Sequence, residues 1–106
     1  MREISTDVIT RNIKEMCIEA NYILENDVKG RILSAEDTEE SILGKQILNQ
    51  LNENMNIAEN ENIPICQDTG MAVVFLKIGQ DVHINGISIE DAVNEGIRQG
   101  YTEGYL

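Results

Sequence analysis

A chain of 106 residues at a formal net charge of −11 excludes a grip on a phosphate backbone, which needs clustered Lys and Arg, and the sequence has no such run. With no Trp, one Phe and three Tyr, Ile, Leu and Val must build a modest core, enough for one layer of helices on a short sheet. The opening "MREISTDVIT" lacks the basic and apolar regions of a secretion signal, and no apolar run is long enough to cross a bilayer, so a cytoplasmic chain with reduced thiols is expected.

From Ser5 to about Glu25 the residues Val8, Ile9, Ile13, Met16, Cys17, Ala20, Ile23 and Leu24 recur at helical spacing, with Ser5 or Thr6 as N-cap. Val28, Ile32, Leu33 and Ala35 keep a similar period. Gly30 weakens that segment and Asp27 can cap it, which predicts a short second helix. Asp37 followed by Glu40 reads as a capping box for a third helix with Ile42, Leu43, Ile47, Leu51 and Met55 on one face. Helices therefore occupy about residues 5 to 59, until Asn and Glu cluster and Pro64 forces Ile63 out of the helical region.

A loop over 63–70 leads into Met71 to Ile78, an apolar, β-branched run between Gly70 and Gly79 that reads as a buried strand. Val82 and Ile84 alternate with His83 and Asn85, so a hairpin around Gly79, Gln80 and Asp81 is expected, with strands over about 71–85. Ser88 then caps a last helix near 89–100 with Ala92, Val93 and Ile97 as its apolar stripe. The fold class is α+β with an α/β-like order: a helical first half, a hairpin or strand pair, and a final helix. The apolar ending at Tyr105 and Leu106 reads as a docked segment, as in part of a larger domain.

The chemistry-bearing stretch is "PICQDTG", where a thiol, an amide, a carboxylate and a hydroxyl stand side by side from Cys66 to Thr69. By residue type Cys66 is a nucleophile, a metal ligand or a small core hydrophobe, and its polar neighbours Gln67 and Asp68 argue against the last. Asp68 beside Thr69 and Gly70 is an acid or base, a hydrogen-bond acceptor for substrate, or part of a turn. Cys17 falls on the apolar stripe of the first helix and reads as packing. His83 has no partner at ligand spacing, and Arg98 belongs to a solvated helix face.

Taken with "KIGQDVHINGISIEDAVNEGIRQGYTEGYL" and, upstream, "MCIEANYILENDV", the string "PICQDTGMAVVF" resembles the amino-terminal part of the alpha subunit or domain of iron-sulfur class I fumarate hydratases and L-tartrate dehydratases. The resemblance implies a hydro-lyase that adds water reversibly across the double bond of a dicarboxylate, fumarate to malate or the tartrate counterpart. It implies that Cys66 is one of three cysteine ligands of a 4Fe-4S cluster, that Gln67, Asp68, Thr69 and Gly70 contact substrate, and that Asp68 takes part in catalysis. It further implies that the remaining ligands and basic clamps come from outside these residues, including a beta subunit or carboxy-terminal domain, so this chain alone is expected to be inactive. Apolar surface on its strand and final helix is expected to favour self-association. Two other readings of "DTG" are a non-enzymatic interaction module and a dimeric aspartic protease; the protease requires a nearly all-β chain, against the helical pattern here.

Overall fold

The computed structural model describes residues 1–106, which form four helices and two short strands. Contacts divide the chain into two compact units, Met1–Glu19 with Asp68–Leu106, and Ala20–Gln67. No helix is long and apolar enough to cross a membrane.

In the first unit, β1 (Arg2–Ser5) pairs in parallel with β2 (Val82–Asn85), Arg2 opposite Val82 and Ser5 opposite Asn85. The expected hairpin is therefore absent. β2 has a turn before it, but its partner is the amino terminus, and Met71 to Ile78 carries no regular secondary structure and lies outside the sheet. That segment is also not buried: Phe75 is 92% and Met71 87% exposed. Its β-branched composition favours a strand, yet a strand exists only where a second one supplies hydrogen-bond partners.

Helix α1 (Thr6–Tyr22) starts where expected, the Ser5 hydroxyl accepting from the Asp7 amide, and ends before Ile23 and Leu24. Helix α4 (Ile89–Glu103) is capped by Ser88, whose Oγ accepts from the Asp91 amide at 3.1 Å, with Glu90 and Asp91 favourably placed in its first turn. The two helices approach closely because α4 presents Gly96 and Gly100: a Cβ built on Gly96 would lie 2.7 Å from the Thr10 carbonyl oxygen, and one on Gly100 2.9 Å from Cys17 Cβ. The Thr10 hydroxyl donates to the Ala92 carbonyl across this seam at 2.9 Å, and Lys14 pairs with Glu103 at 2.8 Å. Ile13 and Ala92 are its buried apolar residues.

The second unit is an antiparallel pair, α2 (Asn26–Thr38) and α3 (Ile42–Glu61). α2 runs over 13 residues despite Gly30, and Asp27 lies inside it; Glu25 occupies the N-cap without a side-chain bond. The capping box at Asp37 does not form either. Asp37 remains in α2, and Ser41 caps α3 instead by accepting from the Gly44 amide. α3 ends at Asn62, in the left-handed region at φ 54°, two residues before Pro64. Of its predicted apolar face only Met55 is buried; Ile42, Leu43, Ile47 and Leu51 are exposed. Polar contacts supplement this pairing: the Glu36 carboxylate accepts from Asn49 and Asn52, and Lys29 pairs with Glu59. This helical architecture does not fit an aspartic protease.

Candidate functional site

The quintet Cys66 to Gly70 lies on irregular backbone; Cys66 and Gln67 belong to the unit Ala20–Gln67, and Asp68 to Gly70 to the unit of Met1–Glu19 and Asp68–Leu106. Cys66, Gln67, Asp68 and Gly70 are exposed and Thr69 is half-buried. Cys66 is thus neither a core residue nor the start of a buried strand. Its exposed thiol lies where a ligand can reach it.

Both flanks of the quintet are tied down. In the second unit, the residue before Cys66 is held twice: the Ile65 amide donates to the Asn21 carbonyl, and the Asn54 side chain donates to the Ile65 carbonyl, each at 2.8 Å. In the first unit, the Tyr101 hydroxyl donates to the Gly70 carbonyl at 3.2 Å. Gly70 has φ +65°, the left-handed conformation that glycine adopts without strain, and no heavy atom lies within 4 Å of the place a Cβ would take. Backbone shape, not crowding, requires the glycine.

Asn54 and Tyr101 escaped the sequence reading. They act across 11 and 31 residues, and neither has a partner at a spacing that periodicity could disclose. The expectations for His83 and Arg98 as solvated residues hold. His83 is exposed on β2, and Arg98 clasps Glu95 one helical turn away with bonds of 2.6 and 2.8 Å. Cys17 is half-buried against α4, and burial pushes its thiol up.

A soft iron-sulfur cluster requires thiolates, and an exposed cysteine on a braced loop fits one such ligand. The rest of a ligand set is not gathered on this chain: no three His, Cys, Asp or Glu side chains converge so as to hold a metal. Grooves of about 270 Å³, walled by Val74, Leu76, Ile89 and Val93, and about 460 Å³, between α2 and α3, are lined by residues outside the quintet.

The family model for fumarate hydratase (Fumerase) matches residues 10–106. A protein of Methanocaldococcus jannaschii provisionally named L(+)-tartrate dehydratase subunit alpha is 37% identical over 92 residues, 86% of this chain and 32% of the relative. A provisionally named class I fumarate hydratase of Geobacillus stearothermophilus is 31% identical over 93 residues, 87% of this chain and 18% of its own length. The L(+)-tartrate dehydratase subunit alpha of Escherichia coli K12 is 38% identical over 56 residues, 53% of this chain and 18% of the relative. The chain thus spans about a third of the first relative and under a fifth of the other two. A family model that leaves out only the first nine residues leads to one conclusion: the chain belongs to the fumarate hydratase (Fumerase) family.

Proposed function

We propose that this chain contributes one portion of a cytoplasmic iron-sulfur hydro-lyase that interconverts a hydroxy-dicarboxylate and its dehydrated partner, malate with fumarate or the tartrate counterpart. One observation carries the reading: the Cys66-Gln67-Asp68-Thr69-Gly70 string stands on exposed, irregular backbone braced at both flanks, within the stretch that matches the family.

Cys66 would furnish one thiolate to a 4Fe-4S cluster. When bound, a cluster with one open iron position supplies a Lewis acid toward a carboxylate or hydroxyl. The Gln67 amide donates to a substrate carboxylate, and Asp68 accepts from the substrate hydroxyl or holds its proton. Thr69 adds a hydroxyl contact, while Gly70, lacking a Cβ, lets the backbone approach the substrate. A dianion gains little from a chain at −11, so the clamping cations belong to a companion, a beta subunit or further domain. The "subunit alpha" in two relatives' names supports a companion.

The test is to produce the chain with its companion under anaerobic conditions and to measure iron, acid-labile sulfide and turnover of fumarate and tartrate. Cys66→Ser removes cluster and activity, because an alkoxide is a poor substitute for a soft thiolate. Cys17→Ser keeps both. An intact, active cluster in the Cys66 variant overturns the ligand assignment.

A further inference from the structure

We infer that Tyr101 is a positioning residue for the turn that carries Asp68, an inference that rests on the hydro-lyase reading above. The Tyr101 hydroxyl donates to the Gly70 carbonyl at 3.2 Å, two residues beyond Asp68. The turn itself is open. Asp68 and Gly70 are exposed, and no heavy atom lies within 4 Å of the place a Cβ on Gly70 would take.

The tyrosine, by contrast, stands on a stiff support. Its helix, α4, meets α1 at near-backbone distance through Gly96 and Gly100, and is bonded to it through Thr10 and Ala92 and through Lys14 and Glu103. The Tyr101 carbonyl is engaged as well, accepting from the Leu106 amide at 3.0 Å. The hydroxyl therefore links the fixed position of the helical pair to the loop at Gly70. Fixing the Gly70 carbonyl restricts the peptide planes that aim the Asp68 carboxylate. The direction in which a catalytic carboxylate is held matters, since a displacement of about 1 Å can cost about a hundredfold in rate. Tyr101 itself need not touch substrate. Its bond is exposed, so water can replace the lost partner when the hydroxyl is removed, and the effect falls on geometry more than on folding.

The experiment compares Tyr101→Phe, Asp68→Asn and the double variant in the active assembly. Tyr101→Phe is expected to lower kcat by about tenfold, with KM within about twofold and an unchanged melting temperature. In the Asp68→Asn background the same change costs less than about twofold, because the group it positions has already lost its function. An unchanged kcat overturns the inference, as does an equal loss in both backgrounds, which a purely structural tyrosine would give. A second measurement needs no turnover: in the 106-residue chain, the backbone NOE of the Met71 amide, which shares a peptide plane with the Gly70 carbonyl, falls in Tyr101→Phe while that of Ile84 in β2 does not. An unchanged Met71 value overturns the tie itself. A wild-type assembly without hydro-lyase activity defeats the functional reading, and the Met71 measurement still decides whether Tyr101 holds the turn.

Discussion

The two cysteines show how surroundings sort residues of one chemistry. Cys17, half-buried against α4, has its thiol pushed up by burial, which disfavours the thiolate; Cys66 is exposed on a braced loop, within reach of a ligand. Glu95 shows the same sorting among carboxylates. Hydrogen bonds from Arg98, then from Gln99, lower it from an ordinary 4.5 to about 2. The folded carboxyl is the more acidic one, so the stabilising contribution of this clasp is fully present above about 4.5. It is lost as the pH falls toward 2, where the folded group also takes up a proton. Because the clasp is solvent-exposed, its share of stability is small and the direct readout is titration. The Glu95 side-chain carboxyl carbon should titrate near 2 in the native chain and return toward 4.5 in Arg98→Ala. A native midpoint near 4.5 would show that the clasp does not persist in solution.

At the scale of elements, glycines at helical positions have opposite consequences. Gly96 lies buried where a Cβ would strike the Thr10 carbonyl and Ile13, so Gly96→Ala must push α1 and α4 apart. We expect it to destabilise the chain by about 1–3 kcal/mol, outweighing the better helix propensity of alanine. Gly30, inside α2, has nothing within 4 Å of its would-be Cβ. There Gly30→Ala should stabilise by up to about 1 kcal/mol. Urea denaturation of both variants checks the signs, and a stabilised Gly96→Ala would mean that the seam is looser than described. The seam also marks what the sequence could disclose. Local signals were legible: the start of α1 at Ser5 and Thr6, Ser88 as a cap, and the lack of regular structure over 63–70. Pairings remote along the chain were not. β2 finds its partner 80 residues away at Arg2–Ser5, and Met71 to Ile78 has a strand's composition without a strand's neighbour. The sequence reading placed the α3 cap at Asp37, but α2 continues through that residue, carrying Glu36 to its bonds with Asn49 and Asn52, and Ser41 takes the cap.

For the molecule as a whole, two opposing surface properties decide its behaviour in solution. Its buried apolar residues are few, Ile13, Met55, Ala58 and Ala92, whereas Met71, Val73 and Phe75 lie in one exposed run. Such a run promotes association, because contact between copies removes apolar surface from water. The net charge of −11 acts against it by making copies repel. The balance is therefore set by salt. The screening length drops from about 10 Å at 0.1 M to about 3 Å at 1 M, which silences repulsion between surfaces and leaves apolar attraction intact. Sedimentation of the 106-residue chain should show a monomer at low salt and a growing share of oligomer toward 1 M sodium chloride, the reverse of the response of a complex held by ion pairs. Phe75, at 92% exposure, offers the largest accessible side chain of the run, so Phe75→Ser should suppress the oligomer without altering the helical content, since no helix contains it. An oligomer that dissolves in salt, or that persists unchanged in Phe75→Ser, would show that charged groups or another face join the copies.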